Sequence, residues 1–153
     1  MKKLSLLFVL LFAVSLVAQE SPSKDESSED NFQKSSKLKV SLTSISLEKY
    51  GAPKPDKSFR AGETVFINIE VQGLWSNDQQ QVVVQADLSV PQLSLNKKNI
   101  IDASTDSAKT VPMYFQIPIE SVQRGGTCTA TITIRDMLAR TYVVFTTTFK
   151  LTI

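Results

Sequence analysis

The chain of 153 residues contains no histidine and a single cysteine, Cys128. The missing histidine excludes Ser-His-Asp and Cys-His nucleophile systems and every histidine-ligated zinc site. One cysteine excludes a thiolate zinc site and any disulfide within the chain, leaving a free thiol or a bridge to another molecule. The five glycines form no phosphate-cradling loop and no dinucleotide fingerprint. Beyond the first 18 residues no stretch shows a sustained helical stripe of apolar side chains. Carboxylate pairs that could hydrolyse a glycoside are not evident either, because the acids are dispersed through loops and one polar stretch. The sequence therefore proposes no cofactor and no metal, and it reads as a non-enzyme.

What is present begins with an address. "MKK" is followed by "LSLLFVLLFAVSLVA", a positive start, an apolar run and small residues at its end. That order is expected of a secretory signal peptide over residues 1–18, and the run is shorter than the roughly 20 residues of a spanning helix. The expectation is a secreted or periplasmic bacterial protein with no transmembrane segment after cleavage. The chain has 17 basic and 15 acidic residues; Lys2 and Lys3 leave with the leader, so the remainder balances 15 against 15. A neutral protein gains little from displacing counterions, so nucleic acid is not an expected partner. Residues 19–37, "QESPSKDESSEDNFQKSSK", carry almost no apolar side chains and read as a disordered polar linker.

From Leu38 to Ile153 the pattern is alternation, the period of a strand with one buried face. In "TVFINIEVQ", Val65, Ile67, Ile69 and Val71 point one way and Asn68, Glu70 and Gln72 the other. "QVVVQADLSV", "VPMYFQIPIE", "TCTATITIRD" and "YVVFTTTFKLTI" repeat the pattern. "LKVSLTSISLE" is a less regular strand, and "NII" at 99–101 reads as a short edge strand. Pro112 and Pro118 share the polar face of their strand, and each removes a ladder donor, so an edge position is expected. About seven short strands separated by turn signals predict an all-β antiparallel sandwich over residues 38–153. Cys128 shares the inward face with Ala130 and Ile132, where a thiol serves as a small apolar side chain.

"FRAGETVFINIEVQGL" followed by "GGTCTATITIRDMLARTYVVFTTTFKL" resembles the bacterial immunoglobulin-like or fibronectin type III-like modules of exported proteins. Gly62 and Glu63 match the turn into an early strand of those modules. Gly126, Asp136 and Phe149 match their closing hairpin, and Cys128 stands where they often carry tyrosine. The resemblance implies an immunoglobulin-like β-sandwich and names no ligand.

In that fold alternate loops share one end of the sandwich. Loops at 73–80, 102–109 and 135–140 are then expected to meet, collecting Trp75, Asn77, Asp78, Asp106, Arg135 and Arg140 as candidate binding residues. The lone tryptophan either caps the core or stands exposed to stack on a sugar or anchor a protein. Asp136 reads as the first residue of a turn, its carboxylate taking nearby backbone amides. Gly125 and Gly126 read as a corner with positive φ. Threonines 127, 129, 131 and 133, with 146 and 148, form one hydroxyl-rich face. The expected role is a non-catalytic interaction or structural module of the cell envelope, its partner another envelope protein or a polysaccharide. The alternative is a carbohydrate-binding module or proteinase inhibitor acting through the Trp75 end.

Overall fold

The structure, a computed structural model, describes residues 31–104 and 110–153. The signal-peptide reading, residues 19–30 of the linker and Asp106 lie outside them. The described chain is nearly all β: β1 (Gln33–Lys34), β2 (Lys39–Ser46), β3 (Ser58–Phe59), β4 (Thr64–Gln72), β5 (Val82–Val90), β6 (Leu95–Ser104), β7 (Thr110–Pro118), β8 (Gly126–Asp136) and β9 (Thr141–Leu151), with one turn of 3-10 helix at Pro91–Leu93.

The strands form two sheets. One has the order β1-β9-β8-β5-β6, with β3 also pairing β9; the other has the order β2-β4-β7. All pairings are antiparallel except those of β1 and β3 with β9, which are parallel. The count is nine, not the seven expected, because β1 and β3 are two residues long and carry no period to read. β1 falls within the stretch read as linker: Gln33 and Lys34 pair with Thr141 and Tyr142, and the Ser35 N–H reaches the Tyr142 carbonyl at 2.9 Å. No helix among the described residues is long and apolar enough to cross a membrane.

One core joins the sheets. Val65, Ile67, Ile69 and Val71 of β4 belong to the same buried cluster as Val84, Leu88, Ile132 and Ile134 of β5 and β8. Register aligns these rows: Ile132 lies opposite Leu88 on one side and Phe145 on the other, and Ile67 opposite Phe115. Cys128 is buried beside Ala130 in the same row and pairs with Phe149. The irregular alternation of β2 has a cause in a bulge between Leu42 and Ser44. The extra residue reverses parity, so Val40 and Leu42 face the core before it and Ile45 after it. A second irregularity, in the β5–β6 ladder between Ala86 and Leu88, leaves Ile100 opposite Ala86 and Lys97 opposite Leu88. Both therefore lie on the core-facing row of β6.

β7 ends the smaller sheet as its prolines predict. Gly125 and Gly126 do not take positive φ; Gly62 (φ +86°) and Gly73 (φ +81°) do. At Gly73 an added Cβ would collide with the Lys37 carbonyl oxygen, so the chain entering β2 packs directly on that backbone.

Candidate functional site

The loop after β4 and the hairpin after β8 meet at one end of the sheets, and the residues they carry play unequal parts. The ends of β4 and β8 and the starts of β5 and β9 converge there. Ser104 lies opposite Val82 and Thr110 opposite Gln72, so both feet of the segment that carries Asp106 stand at the same end. Asp136 organises this end. Its side chain is buried, and one carboxylate oxygen accepts the Trp75 backbone N–H at 2.6 Å. The other oxygen accepts the N–H groups of Leu138 and Ala139, each at 3.0 Å. One carboxylate thus closes its own turn and clamps a loop 61 residues away in sequence.

Above this clamp the Trp75 side chain is 65% exposed. The expectation that it caps the core is overturned: Leu74 beside it turns inward instead. Asn77 builds its own loop: its side-chain oxygen accepts the backbone N–H of Gln79 at 3.0 Å and of Gln81 at 2.8 Å. Asp78 is exposed at the tip. Arg140 is exposed, with its guanidinium 5.6 Å from the centre of the Phe32 ring. Arg135 is not in the hairpin loop. It belongs to β8, and its guanidinium meets Asp87 of β5 at 2.7 Å on the outer face of the larger sheet. That face also carries the expected hydroxyls, with Thr129 opposite Thr148 and Thr131 opposite Thr146.

A second constellation was not found from the sequence. Asn68 was placed on the wet face of β4, yet it is fully buried. The loop after β2 folds over that face and Asn68 anchors it. The Asn68 amide donates to the hydroxyls of Ser44 and Ser46 at 2.8 and 2.9 Å, and its oxygen accepts the Tyr50 N–H at 2.9 Å. The hydroxyls of Ser44 and Ser46 in turn donate to the carbonyls of Gly51 and Glu48. Every polar group of this buried cluster is satisfied, as a low-dielectric site demands. The result is that Tyr50, at φ +54°, stands over β7 with its ring edge-on to Tyr114 at 5.7 Å. The Lys49 ammonium lies 4.3 Å from the Tyr114 ring centre. Beside these rings a cleft of about 510 Å3 opens between the edges of β6 and β7. The signal in the sequence was a lone asparagine inside an apolar strand, facing a serine-rich strand that reads "SLTSIS".

Cys128 has little chemistry in this setting. Burial raises its thiol above the ordinary value, which removes the thiolate that reactivity requires.

No family model and no curated protein matches this chain. Among solved structures it is similar to a β-glucosidase from Listeria innocua in complex with glucose, with a TM-score of 0.41, 11% identity, and 74% of this chain and 16% of that one covered. It is similar also to an alkylpurine DNA glycosylase from Pseudomonas fluorescens bound to DNA containing an abasic site analogue, with a TM-score of 0.44, 11% identity, and 76% and 31% covered. This chain thus spans under a third of the length of either enzyme.

Proposed function

We propose that this chain is an exported, non-catalytic interaction module of the bacterial cell envelope, built as an immunoglobulin-like or fibronectin type III-like sandwich. Strand order supports the fold reading. The seven strands of eight residues or more place the first, second and fifth in one sheet and the seventh, sixth, third and fourth in the other. That order resembles the Greek-key arrangement of such modules, with the fourth strand beside the third instead of beside the fifth. The export reading rests on the first 18 residues, and the non-catalytic one on a chain without histidine whose one thiol is buried.

The observation that carries the functional reading is Trp75: an exposed indole on a backbone pinned by a buried carboxylate. Large rigid aromatics presented on fixed backbone are favoured anchors of protein interfaces, because little entropy is lost when they are covered. A photo-reactive phenylalanine analogue at position 75 tests this in intact cells. The reading expects one protein adduct from position 75 and none from position 131 on the outer sheet face; no adduct from position 75 rejects it.

The same indole supports the carbohydrate-binding alternative, since a flat ring stacks on sugar faces as readily as on a protein. That alternative expects indole fluorescence to shift on titration with a glycan and Trp75→Ala to abolish the binding. A proteinase inhibitor would instead protect a chromogenic substrate at equimolar amounts.

A further inference from the structure

We infer that the cleft between the β6 and β7 edges is a seat for a carboxylate-bearing sugar residue, such as a uronic acid within a glycan. This site is separate from the Trp75 surface and lies at the edges of the sheets.

The inference starts from which groups the cleft offers. Its ionised lining groups are Lys49 and Lys97, and no carboxylate lines it among the described residues. Lys97 reaches the cleft because the register shift in the β5–β6 ladder places it on the core-facing row, and its ammonium donates to the Gln116 carbonyl at 3.2 Å. The walls are apolar or aromatic: Tyr50 and Tyr114 meet at 75° and form a corner, and Met113 and Phe115 lie behind. The volume falls in the usual range for small-molecule sites, roughly 300–1,000 Å3.

The free edge of β7 adds donors. Within an antiparallel strand the N–H and C=O of one residue point the same way. The carbonyls of Pro112 and Gln116 are met from outside by the Tyr50 hydroxyl at 3.3 Å and by Lys97, so even-numbered residues of β7 turn their backbone away from β4. The N–H groups of Tyr114 and Gln116 therefore face the cleft side. The site is rich in donors, and its two nearest carbonyl acceptors are already engaged. Such a set matches an anion that carries a ring. It does not match an added peptide strand. Pro112 and Pro118 have no N–H on that edge, and the two occupied carbonyls remove the acceptors that a strand would need. A single carboxylate on a sugar fits two ammonium groups and a tyrosine corner.

The corner is held in advance. Tyr50 keeps a left-handed backbone, costly for a bulky residue, because buried Asn68 accepts its N–H. Preorganisation of this kind reduces what binding must spend on ordering a loop.

Calorimetric titration of the full chain with trigalacturonate, maltotriose and triglutamate tests the proposal. Saturable binding is expected for trigalacturonate alone, weakening as salt is raised. Lys97→Gln and Tyr114→Ala should each raise Kd by about tenfold, an effect expected of losing one charge-assisted contact or one stacking wall. Trp75→Ala should leave it unchanged, so loss of the Trp75 reading and loss of this one are told apart. Thermal unfolding checks that each variant is folded; if Tyr114→Ala is not, Lys97→Gln and Lys97→Arg, the latter keeping the affinity, decide the matter. Equal binding of maltotriose, equal binding of triglutamate, or affinity indifferent to Lys97 would overturn the assignment.

Discussion

At Asp136 a single side chain does two jobs that differ in range. Its turn contacts are two and three residues away, whereas its contact with Trp75 spans the fold. Replacing the carboxylate by an amide puts an NH2 group against one of three backbone donors. For Asp136→Asn we expect a loss of about 2 kcal/mol, typical of a charged hydrogen bond broken in a buried place, read as a lower urea midpoint. The Trp75 loop should loosen with it, seen as faster decay of indole fluorescence anisotropy. An unchanged midpoint would mean that the carboxylate is not the clamp. The turn was legible in the sequence because aspartate before a short hairpin loop satisfies its own neighbourhood. The clamp was not, since nothing near Trp75 in the chain names a partner 61 residues on. Asn68 failed for the opposite reason: alternation assigns it a face correctly, but cannot say that a loop will cover that face.

Elements show where local chemistry is enough. The stretch "APKPDKSFRAGE" reads as a break before β4, the resemblance singles out Gly62 and Glu63 within it, and the structure supplies the mechanics. Gly62 takes φ +86°, the Glu63 N–H donates to the Arg60 carbonyl at 3.1 Å, and the Glu63 carboxylate returns to accept the Arg60 N–H at 2.8 Å. That backbone bond is the chief reason the Glu63 carboxyl lies below its ordinary value, with the Lys54 ammonium at 3.4 Å assisting. A carboxyl lowered on folding stabilises the fold above its ordinary value, and the contribution disappears as pH falls through the lowered one. Glu63→Gln should therefore melt below the parent at pH 7, and the gap should close as the solution is acidified past the ordinary glutamate value of 4.5. Melting curves at several pH values check this; a gap that persists in strong acid would assign the effect to shape and not to charge. Bulges were beyond such reading. Thr43 in β2 carries no mark that distinguishes it from a paired residue, yet the two-residue parity of the strand changes there. The same limit hid Lys97, whose place on the core-facing row of β6 follows from a register shift and not from its neighbours in sequence.

At the scale of the whole molecule the question is what holds two sheets together without a covalent staple. Cys128 is the one thiol and is buried against Phe149, so it cannot bridge to another chain without leaving the core. The alternating apolar rows were legible from period alone and they meet as one cluster, whereas β1 and β3 form only because the outer edge of β9 offers backbone partners at its two ends. If the rows carry the stability, damage at their centre must outweigh damage at the thiol. Ile132 is fully buried between Leu88 and Phe145. Ile132→Ala should cost about 3 kcal/mol, a transfer loss plus a cavity that rigid cross-strand neighbours cannot close. Cys128→Ala removes one small group and should cost about 1 kcal/mol. Reductant should leave the urea midpoint of the parent protein unchanged. A chain that unfolds on adding reductant, or that loses more with Cys128→Ala than with Ile132→Ala, would transfer the stabilising role from the apolar rows to the sulfur.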